Sequence, residues 1–425
     1  MRIDRLIIFN FKAFRLREIN FDPHFNLIVG DNATGKTSLL DALAIAMDSW
    51  FLGMRTAEKA GGIDTGHVHL ATYLHGDTAT FEKQFPSRIE ARGVVLGDPV
   101  NWARELSREG GKTTTGEAKE ISSLAERADT DVRDGREITL PLICSYGTER
   151  LWFESRHYNK PSKKGDTTPK RPSRFDGYRD CTAFEIQQTV LLEWMQAQFL
   201  TSKQLEQSTN AWNLVKGAVI DCVENATDLN FDPRYNEFVI RQESLGDQLF
   251  SNLSDGQRIM LTLIGDLVRR IVTLNPHLEE RALLETSGIV LVDELDLHLH
   301  PKWQRRVIGD LKRTFPKIQF VATTHSPQLI GEALPTEIHI LEDGKVTRPA
   351  RSFGVDSSAI LDEVMHVSPR NSEIEELLKR LAELIDREDV QRAREVLAQV
   401  EARLGTSDPE VTGATTLLTL LESTR

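Results

Sequence analysis

The segment GDNATGKTS, residues 30–38, constrains the fold of this chain more than any other. It matches the phosphate-binding pattern G-x-x-x-x-G-K-[ST], in which glycines let backbone N–H groups turn inward around an anion. An apolar run at 25–30 precedes it, and Leu39, Leu43 and Met47 follow at helical spacing. Strand, loop and helix therefore come in the order that the motif requires. The sequence predicts a nucleoside triphosphate site in an α/β fold.

The loop and the first turn of its helix supply the predicted contacts to the nucleotide. We expect Lys36 on the β- and γ-phosphates and the Thr37 hydroxyl on Mg²⁺. The N-terminus of the helix adds its positive dipole. The predicted nucleotide-binding residues of this loop are Gly30, Asn32, Gly35, Lys36, Thr37 and Ser38.

Two later motifs supply candidate catalytic residues. IVLVDE is an apolar strand that ends in two acids, of which Asp293 is predicted to hold the metal and Glu294 to act as general base toward the attacking water. VATTHSP places His325 after a second apolar strand, where it is predicted to donate to the γ-phosphate and the water.

LSDGQ, residues 253–257, precedes an amphipathic helix. A hydroxyl, backbone N–H groups and a helix dipole would converge there on an anion. A subunit with its own phosphate loop has no need of a second anion site. We therefore interpret Ser254, Gly256 and Gln257 as contacts to a nucleotide held by another copy. The alternative is an ordinary helix start capped by Ser254.

LHLHP, residues 297–301, is interpreted as a loop that aligns such a dimer, with metal binding as the alternative.

The chain is predicted to have four regions. They are an N-terminal lobe with the phosphate loop (1–85), an insertion (86–250), a second lobe with the later motifs (251–350) and a helical C-terminal region (351–425). The insertion is expected to contain loops, a strand at 137–146, a basic loop at 159–174 and helices at 183–226.

Charge, cysteine spacing and hydropathy argue against several classes of protein. The formal net charge of −12 does not fit a general nucleic-acid coat protein. Cys144, Cys181 and Cys222 form no C-x-x-C pair, so reduced thiols are expected rather than a zinc ribbon. No apolar run reaches the roughly 18 residues of a membrane span. We expect a soluble cytoplasmic protein without membrane contact.

In this order, the motifs resemble those of ABC-type ATPases, specifically the RecF/SMC-like branch, whose start is similar to RLIIFNFKAF and LIVGDNATGKTSLLDALA here. VDELDLHLHPKWQ and FVATTHSPQLI resemble bacterial stand-alone ATPases, including those related to overcoming-lysogenization-defect nucleases. ICSYGTERLW (143–152) and SFGVDSSAIL (352–361) are similar to PtuA-type ATPases of Septu and retron-associated antiphage systems. The resemblance implies an α/β ABC-type head, with a mixed central sheet and an antiparallel β subdomain, a helical insertion and a helical C-terminal tail.

The resemblance also implies a function. ATP would lie between two heads, and the chain would be the slow, regulatory ATPase subunit of an antiphage complex that controls a separate HNH-type nuclease. The implied partners are a second copy or a higher even oligomer, the nuclease, and nucleic acid through the complex or the basic loop. No Toprim nuclease segment is recognised after the ATPase motifs, which fits a separate nuclease.

This sequence departs from the family pattern at three points. Asp255 stands where the signature has its first glycine, and His300 stands where a dimer-aligning aspartate is usual. A carboxylate near the γ-phosphate could weaken closure of the heads. No glutamine loop is identified.

Two other functions remain open from the sequence. A RecF-like clamp for duplex DNA would need a basic track, which the predicted loop could supply, although a solvated loop is the alternative. The residues of that track are Lys160, Lys163, Lys164, Lys170, Arg171 and Arg174. A scaffold that binds ATP without hydrolysis would not need Glu294. The C-terminal helices are interpreted either as a hairpin packed on its own head or as a docking platform for the partner.

Overall fold

The computed structural model describes residues 1–55, 60–76, 78–148, 172–184, 188–205, 209–223, 225–342 and 344–423. The chain divides into two compact units, Met1–Val355 and Asp356–Arg425. Within the described ranges, every helix is too short or too polar to cross a membrane.

The described strands and α-helices are numbered in chain order. The strands are β1 (Arg2–Phe11), β2 (Phe14–Asn20), β3 (Phe25–Gly30), β4 (Leu70–His75), β5 (Thr78–Lys83), β6 (Ser87–Val95), β7 (Asp98–Leu106), β8 (Leu142–Tyr146), β9 (Ala226–Asp232), β10 (Glu237–Gln242), β11 (Gly246–Leu249), β12 (Gly288–Val292), β13 (Ile318–Thr323), β14 (Ile338–Glu342) and β15 (Lys345–Thr347). The helices are α1 (Lys36–Asp48), α2 (Lys119–Arg133), α3 (Gln188–Gln204), α4 (Asn210–Cys222), α5 (Asp255–Leu274), α6 (Ala282–Glu285), α7 (Pro301–Thr314), α8 (Pro327–Ile330), α9 (Ser357–Glu363), α10 (Ser372–Asp386), α11 (Val390–Leu404) and α12 (Pro409–Ser423).

The central sheet of the first unit carries six strands in the order β15-β14-β3-β13-β12-β8. All neighbours are parallel except the β14–β15 hairpin. Every residue of β8, β12 and β13 is buried, as expected for parallel strands covered on both faces. Since parallel strands end at the same edge, the segments that follow β3, β8, β12 and β13 come together there.

A second, antiparallel sheet has the order β2-β1-β6-β7. Its inner face packs on α1, where the Trp102 indole N–H donates to the Ala46 carbonyl at 2.9 Å. Loops are predicted for the first part of the insertion, residues 86–136, but the structure has regular elements there. That range forms β6, β7 and α2, and β6 pairs with β1. The alternation in β6 is weak in sequence because small residues such as Ala91 and Gly93 face inward.

Other parts of the predicted insertion also differ from expectation. The strand expected at 137–146 begins only at Leu142 and belongs to the central sheet. The helical region expected at 183–226 forms two helices, α3 and α4, because Thr209 caps a new helix start. These helices pack with the small β9–β11 sheet through an aromatic cluster. Its members are Phe199, Trp212, Phe231 and Phe238.

The second unit, Asp356–Arg425, consists of α9 to α12 in its described part. The last three helices bury a core of their own, with charged residues on the outer faces. The buried members of this core are Leu381, Ala393, Val396, Leu397, Val400, Val411, Ala414 and Leu418. The predicted α/β class, with a mixed central sheet, an antiparallel sheet and C-terminal helices, is confirmed.

Candidate functional site

The candidate site lies at the carboxyl edge of the central sheet. The phosphate loop follows β3, Asp293 and Glu294 follow β12, and His325 follows β13. In the sheet, β13 lies between β3 and β12. Three motifs that are far apart in sequence therefore leave three adjacent strands at one edge.

The phosphate loop has the backbone that its glycines predict. Gly35 has φ of 101°, in the left-handed region, and a Cβ at this position would lie 2.8 Å from the Phe14 ring. The ammonium of Lys36 donates to the carbonyl oxygens of Gly30 and Asp31, at 2.7 and 2.8 Å. The helix α1 begins at Lys36, so its first N–H groups point toward the loop.

The charges of the acids in the second motif act on Lys36. Partial burial lowers the pKa of this ammonium, while the charges of Asp293, Asp31 and Glu294 act in the opposite direction. The side chains that would face a nucleotide remain accessible, because Thr37 and Asn32 are exposed. Two predicted nucleotide contacts, Gly30 and Ser38, are partly buried.

The two acids are held by their neighbours on both sides. On the β8 side, the N–H of Asp293 donates to the carbonyl of Tyr146 at 2.8 Å. On the β13 side, the Thr323 hydroxyl donates to Oδ1 of Asp293 at 2.5 Å and accepts the N–H of Glu294 at 2.7 Å. Glu294 has φ of 47°, which non-glycine residues adopt rarely.

Polar contacts also flank His325. The Thr324 hydroxyl donates to Asp296 at 2.5 Å, and the Ser326 hydroxyl donates to the Gln304 amide oxygen at 2.7 Å. His325 itself is partly exposed. The segment that carries it is therefore tied to the chain that follows the two acids.

The LSDGQ segment forms the start of α5. Ser254 is the N-cap, and with Gln257 it completes a reciprocal capping box. The carboxylate of Asp255 pairs with Arg258. A Cβ on Gly256 would lie 2.8 Å from the His298 carbonyl, so glycine permits this close approach. The capping alternative is thus present, and the contact of these residues with a second copy stays a prediction.

The LHLHP segment leads into α7. His300 is the N-cap of that helix, and its Nδ1 accepts the N–H of Lys302 at 3.3 Å. Throughout the ranges that the structure describes, no group of three or more His, Cys, Asp or Glu residues is arranged to hold a metal ion.

The predicted Mg²⁺ ligands suit that ion in chemistry. The Thr37 hydroxyl and the Asp293 carboxylate are oxygen donors, which Mg²⁺ prefers, and it usually takes only one or two carboxylates besides phosphates and water. Thr37 is exposed and Asp293 is partly exposed.

Most of the predicted basic track lies outside the described residues, which resume at Pro172. Arg174 is described, and its guanidinium is bonded to backbone carbonyls within the fold. Its Nε donates to the Leu274 carbonyl at 2.7 Å, and a terminal nitrogen donates to the Ile138 carbonyl. Arg174 therefore links α5 to the segment before β8.

Sequence reasoning missed two groups of residues near the site. One is Thr323, for which the only signal is the pair of threonines before His325. The other is a buried network of Tyr146, Asp266 and Arg270, in which the Tyr146 hydroxyl donates to Asp266 at 2.9 Å. Nothing local in the sequence links β8 to the middle of α5.

With this geometry established, the chain can be compared with known proteins. Residues 25–331 match the family described as "AAA domain, putative AbiEii toxin, Type IV TA system". "Retron Ec83 probable ATPase" of Escherichia coli is 33% identical, over 88% of this chain and 78% of that protein. "Septu protein PtuA" of Bacillus thuringiensis is 30% identical, over 92% of this chain and 91% of that protein.

A solved SMC head, bound to the C-winged helix domain of ScpA, has a TM-score of 0.48 and 14% identity, over 82% of this chain and 98% of that chain. The sequence relatives confirm the predicted resemblance to PtuA-type ATPases of Septu and retron-associated systems. The chain therefore belongs to this AAA-domain family, and it is a relative of the retron Ec83 ATPase and of Septu PtuA.

Proposed function

We propose that this chain is the ATP-hydrolysing subunit of an antiphage defence complex, in which ATP closes a dimer of heads and thereby regulates a partner HNH-type nuclease. The observation that carries the catalytic part is the order of the sheet, in which the strands that precede the phosphate loop, the two acids and His325 are adjacent and end at one edge. The names of the retron and Septu relatives support the biological context.

Each residue has a defined role in this proposal. Lys36 exchanges the carbonyls of Gly30 and Asp31 for phosphate oxygens. Glu294 accepts a proton from the attacking water, and His325 donates a hydrogen bond to the γ-phosphate. Thr37 and Asp293 would hold Mg²⁺, which would neutralise phosphate charge.

The second copy contributes the start of its α5. Ser254, Gly256 and Gln257 would bring N–H groups and a helix dipole to the γ-phosphate. The departure at Asp255 is compatible with this arrangement, because Arg258 compensates the carboxylate charge. Both Ser254 and Asp255 are exposed, which leaves this helix start accessible to a partner. Slow turnover suits the role, because the closed state is itself the signal.

We further propose that the complex acts in the cytoplasm. Cys144, Cys181 and Cys222 are buried and are not joined in disulfides. Reduced thiols of this kind suit a reducing compartment.

Glu294→Gln tests the mechanism, since the amide preserves shape but cannot take a proton. We expect this variant to bind ATP, to lose turnover and to double its mass with ATP, as measured by light scattering during gel filtration. Lys36→Ala is the matched control, which should neither bind ATP nor change mass. An unchanged mass for ATP-loaded Glu294→Gln contradicts closure of the heads.

The partner is tested by capture from host cells with tagged Glu294→Gln and Lys36→Ala. An HNH nuclease enriched by the first variant supports the regulatory role. Duplex DNA without a nuclease, lost steeply as salt rises, would instead favour a RecF-like clamp.

A further inference from the structure

Thr323 contacts both acids of the second motif, the proposed metal ligand Asp293 and the proposed general base Glu294. It is the last residue of β13 and is fully buried. Its hydroxyl lies 2.5 Å from Oδ1 of Asp293 and 2.7 Å from the backbone nitrogen of Glu294. Its carbonyl accepts the N–H of Leu295 at 2.9 Å. One residue therefore contacts three consecutive residues of the acidic segment.

The direction of these hydrogen bonds is fixed by chemistry. The Glu294 N–H can only donate, so the Thr323 oxygen accepts from it. The hydroxyl proton is then available for Asp293, whose ionised carboxylate only accepts. The hydroxyl thus connects the side chain of one acid to the backbone of the next.

The hydrogen bond from the Glu294 N–H matters because the backbone of Glu294 has an unfavourable conformation. A left-handed conformation at a non-glycine residue costs about 1–2 kcal/mol and persists only where the surroundings enforce it. At Glu294, with φ of 47°, the Thr323 hydroxyl satisfies the backbone N–H in that conformation. The direction in which the Glu294 side chain leaves the strand therefore depends on this hydrogen bond.

Thr323 is itself held on a rigid element. In the sheet it is paired with Ile28 of β3, the strand that leads into the phosphate loop. The next residue, Thr324, donates its N–H to the Ile28 carbonyl at 3.2 Å. The backbone at Thr323 and Thr324 is thus paired with β3, while the Thr323 hydroxyl is bonded to the acids, and this sets the position of the acids relative to the phosphate loop.

We propose that Thr323 is a positioning residue for ATP hydrolysis, which orients the Asp293 carboxylate toward Mg²⁺ and fixes the backbone of Glu294. The inference rests on the proposed roles of these two acids. Thr323 contacts neither nucleotide nor water in this scheme, and it acts only through Asp293 and Glu294.

Thr323→Val removes the hydroxyl and keeps the branched shape, whereas Thr323→Ser keeps the hydroxyl. For the valine variant we expect nucleotide binding in EDTA to remain at the wild-type level. Both kcat and the affinity for Mg²⁺ should fall by about 10- to 100-fold, as is typical when a group that orients a metal ligand is lost. The KM for ATP at saturating Mg²⁺ should change little. The serine variant should restore both quantities to within a few-fold.

The readout that does not depend on turnover is binding of a fluorescent ATP analogue titrated with Mg²⁺. Thr286→Val is the matched control, since Thr286 is fully buried and accepts a hydrogen bond from Asn275 at 3.0 Å outside the site. It should lose stability without a change in Mg²⁺ dependence. If Thr323→Val does not fold, as judged by thermal melting, Thr323→Ala replaces it.

Two results overturn the inference. One is a folded Thr323→Val with wild-type kcat and Mg²⁺ dependence, and the other is a Thr323→Ser as defective as the valine variant. An error in the proposed role of Glu294 can be told apart from an error in the role of Thr323, because in the first case Glu294→Gln itself retains turnover.

Discussion

Replacing Asp266 with asparagine should destabilise the first unit more than any change at a surface ion pair. The Asp266 side chain, on α5, is 2% exposed and accepts four hydrogen bonds. Arg269 donates two of them, at 3.0 and 2.7 Å, and Arg270 donates one at 2.7 Å. Tyr146 of β8 donates the fourth at 2.9 Å. An asparagine would turn one acceptor into a donor that faces other donors.

The magnitude follows from the two guanidiniums that contact the Asp266 carboxylate. Burial raises the pKa of Asp266, but the charges of Arg270 and Arg269 outweigh it and lower this pKa from 3.8 to about 2. A shift of this size corresponds to about 2 kcal/mol. The substitution also leaves Arg270, only 4% exposed, without its carboxylate. Breaking a buried pair in this way costs about 3–5 kcal/mol, and we expect that loss for Asp266→Asn.

Urea denaturation followed by tryptophan fluorescence measures this loss. All six tryptophans lie within Met1–Val355, so the signal reports on the first unit. Glu285→Gln is the control, because Glu285 forms an i,i+4 pair with Arg281 at 3.0 Å, with side chains 37% and 66% exposed. Its loss should be about 0.5 kcal/mol or less.

The pH dependence gives a second check. The pKa of Asp266 is lower in the folded state than in the unfolded chain, so the carboxylate stabilises fully above about pH 4. That contribution is lost as the pH falls toward about 2. Asp266→Asn should lack this part of the acid sensitivity. A loss below about 1 kcal/mol at pH 7 would refute the reasoning that the network is held by charge.

Two further predictions follow from other features. Burial lowers the pKa of His339 to about 4, well below the 6.5 of an exposed imidazole. The neutral imidazole therefore stabilises the folded state, and this contribution is lost as the pH falls from 6.5 to about 4. His339→Gln should therefore lose less stability over that range in urea titrations, and an unchanged pH profile would contradict this. Removal of residues 370–425 should abolish capture of the partner but spare ATP binding, because α10–α12 have their own core. Loss of soluble protein would instead indicate that these helices belong to the core of the fold.

The reactive part of the site could be predicted because each of its residues follows a buried apolar strand. FNLIV and GIVLV directly precede Gly30 and Asp293, and the strand IQFVAT ends two positions before His325. Parallel strands share an edge, so order in the sequence becomes proximity in space. Chemistry also limits the choice, since phosphate binding and proton transfer accept few residue types.

The supporting structure could not be predicted in the same way. Pairing of β6 with β1 depends on Ile89 meeting Ile8, and no local pattern records a partner so far along the chain. Three of the five buried residues of β6, namely Ser87, Ala91 and Gly93, are small or polar, so the alternation carries little hydrophobic signal. The hydrogen bond from Tyr146 to Asp266 spans 120 positions and has no sequence signature either.

Thr323 contacts reactive residues, but like the supporting residues it could not be predicted from the sequence. In sequence it is a β-branched residue at the end of a buried strand, and such residues are common there because they pack well on a pleated surface. Its hydroxyl acquires a role only through Asp293 and Glu294, which lie 30 and 29 positions earlier. Residues that touch the substrate are limited by chemistry and leave a pattern, whereas residues that orient them are limited by geometry and leave none. Thr323→Val is conservative in size and shape, but it removes the hydroxyl that orients the two acids. We therefore expect it to lower ATP hydrolysis more than most other substitutions in the sheet.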